Sequence, residues 1–385
     1  MRMKKRLLSI LIAMTMILSL LPVVALADGS ETTLPNAENG VIKLTSNVTA
    51  TLTVNSNETI TLDLNGYTLT NTDGQHTIIN NGTLTITDTS TDDVGTVDNV
   101  THAKAAVYNA NSANCTILKG IFTRSKAAGT YTPYSNGGNS YYVLENQGTM
   151  VIGTKDEGSS SISVQANDGY SSLIHNGWQN SKDAVGKTAT LTIYDGSFSG
   201  GVNTVKNDES GTLTINGGTF NNVTQYTVQN WNVATINGGT FESNTMAAIY
   251  NGAETAGTSD GQLTITGGEF TAADGYYVVY SETGDDYDSE TYLDGASASI
   301  SGGTYSSQDV SNDATYGEGL ARVIQADGSC VVETPGNDAL KVADGLTMLI
   351  WKHLKQTLMP RSAQRIIALW RLPSMPPATA TRSLC

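Results

Sequence analysis

The chain of 385 residues has few cysteines, prolines and phenylalanines, with 3, 8 and 5 copies respectively. So few cysteines exclude the disulfide framework of small secreted domains, and stability must come from a hydrophobic core. Positive charge is also scarce, because 21 Lys and Arg stand against 36 Asp and Glu, for a net charge of −15. Such an acidic surface repels nucleic acid and anionic lipid, so we expect neither as a partner.

Long apolar runs are lacking as well, with one exception at the N-terminus. Basic residues at positions 2–6 precede the run LLSILIAMTMILSLLPVV, and the small residues Ala25 and Ala27 follow it. This order predicts a secretory signal peptide over residues 1–27 and, after cleavage, a secreted or cell-surface protein without a membrane span. A retained transmembrane anchor is the alternative interpretation.

Acidic residues are absent from the last forty positions, 346–385. This basic tail also lacks the Thr- and Gly-rich composition of the chain before it. We interpret this tail either as non-native sequence produced by a frameshift in the reading frame, or as a disordered segment. The alternative is a basic amphipathic helix that meets a membrane or a partner.

What the chain does have is an internal repeat. The segment LTINGGTF at 213–220 returns as ATINGGTF at 234–241 and as LTITGGEF at 263–270. The pattern alternates apolar and polar residues, contains a Gly-Gly corner, and ends in an aromatic residue five positions after the strand's last isoleucine. Short repeats with turn signals predict strands that stack on their neighbours, since one copy cannot bury its own apolar face.

A second recurring column has the form apolar-x-Asn and alternates with the first along the chain. Its asparagines are Asn80, Asn109, Asn146, Asn176, Asn207, Asn230 and Asn251. The tightest copies, Asn207 to Asn230 and Asn230 to Asn251, are 23 and 21 residues apart. A period of this length with two or three short strands predicts one turn of a parallel β-helix. We expect the asparagines to face the interior as a hydrogen-bonded ladder, which makes them scaffold residues.

The stretch TITLDLNGYTLTN (59–71) with the LTINGGTF copies resembles right-handed parallel β-helix proteins with a pectate-lyase-like fold. More narrowly, it resembles repetitive secreted or surface proteins of Gram-positive gut bacteria. The resemblance implies an all-β fold, a single-stranded right-handed parallel β-helix (solenoid) of about nine turns. The helix with its N-terminal cap turns would span residues 28–308, and a β cap segment would span 309–345. This architecture hosts many functions, so the motifs predict fold better than activity.

Binding is the function that we expect, because loops on a rigid scaffold and exposed aromatic rings suit sugars. The protein would then be an adhesin-like monomer that engages a polysaccharide or a host surface glycan. The candidate ligand-binding aromatics in loops are Trp178, Tyr131, Tyr134 and Tyr287. The middle position of apolar-x-Asn, expected to be exposed, adds Tyr108, His175, Tyr250 and Tyr280. The alternative is that these rings only cover the bases of loops.

A polysaccharide-active enzyme is the competing hypothesis. Polygalacturonase-like hydrolases imply a set of acidic and basic residues, for which Asp73, Asp93 and Arg124 are the nearest matches here. The match is incomplete, and pectate-lyase-like sites would need calcium ligands beside a basic residue. We therefore predict no catalytic residue and no cofactor. Ca²⁺ is the one ion with a weak candidate site, at Asp286, Asp288 and Glu290.

Overall fold

The computed structural model describes residues 31–72, 74–101, 103–125, 141–155, 161–166, 171–179, 181–252, 260–282, 295–335 and 341–342. These residues are nearly all β-strand, arranged in three mostly parallel sheets. The one helix among them, α1, is the short segment Ser181–Ala184. Within the described residues no helix is long and apolar enough to cross a membrane.

The strands are numbered in chain order and belong to sheets of 11, 13 and 9 strands. Sheet I contains β1 (Val41–Lys43), β4 (Thr59–Asp63), β7 (Thr83–Thr87), β10 (Asn114–Ile117), β13 (Thr149–Ile152), β16 (Ala189–Ile193), β19 (Gly211–Ile215), β22 (Val233–Ile236), β25 (Gln262–Ile265), β28 (Ser297–Ile300) and β30 (Thr315–Tyr316). Sheet II contains β2 (Val48–Thr49), β5 (Thr68–Thr70), β8 (Thr96–Asp98), β11 (Gly120–Thr123), β14 (Ile162–Gln165), β17 (Ser197–Ser199), β20 (Thr219–Asn222), β23 (Thr240–Ser243), β26 (Glu269–Thr271), β29 (Thr304–Tyr305), β31 (Ala321–Ile324), β32 (Cys330–Glu333) and β33 (Lys341–Val342). Sheet III contains β3 (Leu52–Val54), β6 (Ile78–Asn80), β9 (Val107–Asn109), β12 (Leu144–Asn146), β15 (Ile174–Asn176), β18 (Val205–Asn207), β21 (Val228–Asn230), β24 (Ile249–Asn251) and β27 (Val279–Ser281).

The chain passes through the three sheets in turn. Up to β29, each strand therefore pairs in parallel with the strand three positions earlier in the chain. We call one pass through sheets I, II and III a circuit. This order is consistent with a parallel β-helix, the solenoid that the repeat predicts. Beyond β29 the pattern changes, because β32 pairs antiparallel with both β29 and β31.

Alternation within each strand separates the core from the surface. In β19, Leu213 and Ile215 are fully buried, whereas Thr212 and Thr214 between them are half-buried on the outer side. Successive side chains of a strand point to opposite faces, so the apolar residues of the three sheets meet inside. Cys115 occupies such an inward position and is 1% exposed.

The aromatic residue of the repeat forms a column of stacked rings in the core. Phe198, Phe220, Phe241 and Phe270 stack on one another with centroids 4.7 to 4.9 Å apart, and Tyr305 continues the column. The glycine corner before each ring, Asp195-Gly196 before Phe198 and Gly-Gly before the others, makes this possible. At Gly239 the backbone adopts φ +109, and an added Cβ would lie 3.1 Å from the carbonyl oxygen of Gly218. Glycine is the residue that tolerates this conformation and this close approach.

Candidate functional site

The outer face of sheet III carries the clearest concentration of aromatic and charged side chains. The middle residue of each apolar-x-Asn triplet points outward here, and the strand register aligns these residues from one circuit to the next. We name this column the outer strip. It begins after Ile79 and consists of Tyr108, Glu145, His175, Lys206, Gln229, Tyr250 and Tyr280.

Directly behind the outer strip lies the asparagine ladder. From Asn80 to Asn230, each side-chain amide donates to Oδ1 of the asparagine on the next circuit at 2.7 to 2.8 Å. Asn251 ends the ladder by donating to the hydroxyl of Ser281 at 3.4 Å. All seven asparagines are fully buried. The ladder therefore holds the strip residues at a constant spacing, about 4.8 Å from strand to strand, and serves as scaffold.

The first half of the outer strip is covered by rings. His76 stacks on Tyr108 with centroids 5.0 Å apart, and Tyr142 stacks on His175 at 4.4 Å. Tyr141 lies beside Tyr142 and donates a hydrogen bond from its hydroxyl to Oε2 of Glu145 at 3.0 Å. Burial lowers the pKa of His76 to about 4, so this ring is neutral at ordinary pH.

Beneath these rings two carboxyl groups flank His175, and their pKa values shift in opposite directions. Burial raises the pKa of Glu145, which is 7% exposed. Burial also acts to raise that of Asp208, but the hydrogen bond with His175 Nε2 and the nearby ammonium of Lys206 outweigh it and lower the pKa. The Asp208 Oδ2 atom lies 3.4 Å from His175 Nε2 and 2.5 Å from Lys206 Nζ.

His175 is 1% exposed, and its Nδ1 atom has no hydrogen-bond partner within the part of the chain that the structure describes. With Tyr142 stacked on its ring, the imidazole has no open face toward solvent. The expectation that His175 is exposed was therefore wrong. The group lies inside a closed electrostatic cluster, out of reach of a polymeric ligand.

The second half of the outer strip is more open and is dominated by aromatic rings. Tyr226 stacks on Tyr250 at 4.7 Å, Tyr280 follows at 6.0 Å, and Trp231 meets Tyr250 at 5.7 Å with its plane turned by 65°. Trp231, Tyr226 and Tyr280 are each half-buried. The parallel tyrosines and the turned indole of Trp231 thus give two ring orientations at the same place.

Gly252 allows this arrangement. A Cβ at Gly252 would lie 2.8 Å from both Trp231 Cζ3 and Tyr250 Cε1, so the two rings close over a position that has no side chain. The amide of Gly252 donates to the carbonyl oxygen of Asn230, and that of Glu282 donates to Asn251, which places Trp231, Gly252 and Glu282 on three successive circuits. An indole, a bare backbone position and a carboxylate thus follow one another along the stacking direction.

Glu282 is 4% exposed and acts electrostatically on Tyr226. Burial and then the charge of Glu282 raise the pKa of Tyr226 to about 12. Tyr276 adds a smaller contribution, so its ring is also close, and it is 45% exposed. We name the set Tyr226, Trp231, Tyr250, Tyr280 and Glu282 the aromatic patch.

The structure separates the aromatics predicted to bind ligand into three groups. Tyr250 and Tyr280 belong to the aromatic patch, and Tyr108 lies at the other end of the outer strip with its hydroxyl donating to Gln147 Oε1 at 3.0 Å. Tyr250 is 9% exposed, less than its outward position suggests, because Tyr226 and Trp231 pack against it. Tyr131, Tyr134 and Tyr287 lie outside the described residues.

Trp178 is a correction to the expectation of an exposed loop ring. It is 4% exposed and packs with Ala184 and Ala189 in a small apolar cluster of its own. Its backbone pairs with Glu209, and the ammonium of Lys187 lies 5.4 Å from the ring centroid. Burying so large an apolar ring stabilises the fold, and the indole face that remains is already occupied by a cation.

Of the residues of the enzyme hypothesis, Asp93 and Arg124 are not brought together. Arg124 is 4% exposed and donates from its guanidinium to the carbonyl oxygens of Lys104 and Thr101, which anchors a turn. It follows the end of β11, whereas Asp93 lies on an exposed turn before the start of the paired strand β8. The two side chains therefore belong to opposite ends of sheet II. Asp73 lies outside the described residues.

Side chains that could bind a metal ion are likewise not clustered in the described part of the chain. Among the described residues no three His, Cys, Asp or Glu side chains form a group that could hold a metal ion. The acidic loop with Asp286, Asp288 and Glu290 lies outside them.

A shallow groove of about 590 Å³ follows the Gly-Gly corners between sheets I and II. Its floor is glycine backbone, and the side chains along it include Asp195, Thr219, Thr240 and Glu269. It offers few converging groups, and the outer strip remains the richer site.

Several members of the aromatic patch escaped sequence reasoning. Trp231 and Glu282 both directly follow the Asn column position or its serine substitute, Ser281. This shared position in the repeat was the sequence signal that could have placed them together, because residues at one position of the repeat lie in one line on the surface. Comparison of the chain with protein-family models, with curated proteins and with solved structures found no match.

Proposed function

We propose that this protein binds carbohydrate polymers through the aromatic patch on the outer face of sheet III. In this proposal it is an adhesin-like, secreted or cell-surface protein that engages a polysaccharide or a host surface glycan. Its three sheets would form a single right-handed parallel β-helix of about nine turns, which presents the patch on a rigid wall.

The observation that carries the proposal is the turned indole of Trp231 beside the tyrosine row. Sugar rings bind proteins by laying their C–H faces on aromatic rings, while hydroxyls and amides take up the sugar hydroxyls. The patch offers both kinds of group. Gln229 adds an amide next to Tyr250 in register and accepts a hydrogen bond from Asn203 Nδ2 at 2.8 Å, which orients it.

The spacing of the strip also suits a polymer. Equivalent residues recur on each circuit about 4.8 Å apart along the stacking direction. An extended glycan lying along this direction would meet one set of side chains after another, so modest contacts add along one chain. Binding would then strengthen with the length of the oligosaccharide.

The test is a glycan-array screen of the full chain, followed by calorimetry with the oligosaccharides that bind. Trp231→Ala and Tyr280→Ala are expected to weaken binding about tenfold or more, the size of a lost stacking contact. Tyr194→Ala is the matched control, because Tyr194 is a half-buried tyrosine that follows β16 in sheet I, away from the patch.

Two results would overturn the proposal. If no glycan binds, or if the Trp231 and Tyr280 variants bind as well as the unchanged protein, the patch is not the binding site. If bound polysaccharide is converted to unsaturated or new reducing-end products, the protein is a polysaccharide-active enzyme.

A further inference from the structure

We infer that Asn237 and Asn216, in that order, are modification sites at which the chain's own backbone converts the side-chain amide to a carboxyl group. This inference is independent of glycan binding. It comes from the contacts of the corner between sheets I and II, where Asn216-Gly217 and Asn237-Gly238 occupy the same position on two successive circuits.

An asparagine followed by glycine reacts with its own main chain. The amide nitrogen of the glycine attacks Cγ of the asparagine and loses its proton, and Nδ2 leaves as ammonia. Water then opens the five-membered imide at one of its two carbonyls, which gives aspartate or the isomer whose main chain runs through the side chain. Water is the one co-reactant. A glycine amide that already donates a hydrogen bond reacts more slowly, because breaking that bond adds to the barrier.

Hydrogen bonding of the glycine amide separates the Asn-Gly pairs of the described residues. Gly217 and Gly238 donate to no acceptor within this part of the chain. Four other glycine amides donate at 2.8 to 3.1 Å, in the pairs Asn65-Gly66, Asn81-Gly82, Asn176-Gly177 and Asn251-Gly252. Asn81 is exposed, as Asn237 is, so these two differ in the bonding of the following glycine and not in access to water.

The second observation is a donor at the atom where negative charge develops. Attack at Cγ turns Oδ1 into an oxyanion, and a hydrogen bond to that oxygen lowers the barrier. Thr266 Oγ1 donates to Asn237 Oδ1 at 2.7 Å, and Asn237 Nδ2 donates to Asn216 Oδ1 at 3.0 Å. The hydroxyl makes the shorter contact, so Asn237 reacts first. Its conversion removes the Nδ2 donor and thereby slows the reaction at Asn216.

One more described pair, Asn39-Gly40, lies in a different setting. It forms the two-residue turn of a hairpin that is closed by hydrogen bonds between Glu38 and Val41 at 2.9 Å in both directions. Asn39 is exposed, but it lacks a donor such as Thr266 at its Oδ1 among the described residues, so it should react more slowly than Asn237.

The packing of the corner explains why glycine follows asparagine at both sites. A Cβ at Gly238 would lie 2.7 Å from the carbonyl oxygen of Asn216, and one at Gly217 would lie 2.5 Å from that of Tyr194. Close contact between circuits therefore requires glycine here, and this requirement creates the reactive pair. Each conversion adds a negative charge to a chain of net charge −15, beside the groove that Glu269 lines.

The experiment incubates the full chain at mildly alkaline pH and follows each asparagine by peptide mapping with mass spectrometry, in buffer and in concentrated urea. In buffer we expect conversion at Asn237 first and at Asn216 second, with Asn81, Asn176 and Asn251 unchanged over the same time. In urea the difference between Asn237 and Asn81 should disappear, because the unfolded chain no longer holds the glycine amide of Gly82.

Variants test the donor. Thr266→Val removes the hydroxyl and should slow the conversion of Asn237 about three- to tenfold, the worth of one exposed hydrogen bond. Thr264→Val is the matched control, because Thr264 is an exposed threonine of β25 two residues earlier, and it should leave the rate unchanged. Asn237→Asp reproduces the product and should slow the conversion of Asn216.

Three results would overturn the inference. The first is conversion of Asn81 or Asn39 ahead of Asn237 in the folded chain, since the glycine amide and the Oδ1 donor would then not decide the site. The second is an unchanged rate at Asn237 in Thr266→Val. The third is a folded chain that keeps Asn237 intact over several times the period that the unfolded chain needs. The mapping of the unchanged protein decides the first and third whether or not a variant folds.

Discussion

The side-chain amide of Asn207 donates a hydrogen bond to Oδ1 of Asn230 at 2.8 Å, and it also reaches the carbonyl oxygen of Val233 at 3.0 Å. One amide therefore joins two circuits and ties sheet III to sheet I. Asn176 donates to Asn207 in the same way. The ladder satisfies buried polar groups that would otherwise be costly, which links the repeat to the stability of the whole stack.

Replacing one rung of this ladder should destabilise the protein strongly. Asn207→Ala leaves the Asn176 amide and the Asn230 oxygen without their partner in the interior, and we expect a loss of about 3 kcal/mol in the free energy of unfolding. Urea denaturation measures it. Asn237→Ala is the control, because Asn237 donates to Asn216 on the exposed surface and should change stability by less than about 0.5 kcal/mol. Equal losses in the two variants would contradict the role of the buried ladder.

The phenylalanine column gives a second prediction. Phe220 is fully buried with Phe198 and Phe241 stacked at 4.7 Å on either side. Phe220→Ala would open a cavity between two rings, and we expect a loss of about 3–5 kcal/mol, measured by chemical denaturation. Phe220→Leu keeps an apolar side chain and should lose clearly less. A loss below about 1 kcal/mol for the alanine variant would show that the ring does not fill the core as described.

The Gly-Gly corner is tested by a pair of glycines with different surroundings. Gly239 and Gly275 both have positive φ, +109 and +85, but only at Gly239 would a Cβ meet neighbouring atoms, at 3.1 Å. Gly275→Ala should lose about 1–2 kcal/mol from backbone conformation alone. Gly239→Ala should lose more, because it also presses on Gly218 and Phe241. Thermal unfolding compares them, and a smaller effect at Gly239 would argue against the close approach.

The two buried carboxyl groups that flank His175, those of Glu145 and Asp208, predict opposite pH dependences. Burial raises the pKa of Glu145. Its contribution to stability is therefore fully present below the unfolded value of about 4.3 and is lost as the pH rises through the folded pKa. Glu145→Gln removes this loss, so the variant should gain stability relative to the unchanged protein as the pH is raised toward 7.

The contribution of Asp208 to stability should depend on pH in the opposite direction. Its pKa is lowered because the His175 hydrogen bond and the Lys206 charge outweigh burial, so its contribution is present above about 3.9 and is lost as the pH falls through the folded value. Asp208→Asn should therefore be destabilised at pH 7, with a smaller difference in acid. Urea titrations across this pH range measure both variants, and parallel profiles for the two would contradict the opposed shifts.

The asparagine and phenylalanine columns were predictable because each repeats at one register of the chain. Because side chains along a strand point alternately inward and outward, the inward position of Asn230 or Phe220 follows from the repeat period alone. The aromatic patch was only half predictable. Tyr250 and Tyr280 share a register, but the meeting of Trp231 with Tyr250 depends on the absence of a side chain at Gly252, on the following circuit.

Trp178 shows where reading the repeat fails. It lies in a segment without the repeat, and its burial follows from a backbone pairing with Glu209 and from contacts with Ala184 and Ala189. None of these contacts produces a periodic pattern in the sequence. Arg124 is similar, since its anchoring of the carbonyl oxygens of Thr101 and Lys104 depends on how that turn folds back.

The sequence by itself determined that the strands stack in parallel and that the apolar and asparagine columns of the repeat lie inside, because a two-residue alternation within a repeated unit leaves few other ways to bury the apolar face. Only the tertiary structure decided which outward groups meet. Trp231, Gly252 and Glu282 are 21 and 30 residues apart, and the intervening loops differ in length. Their association depends on register across circuits and on local sterics, and these are properties of the folded stack that no single copy of the repeat contains.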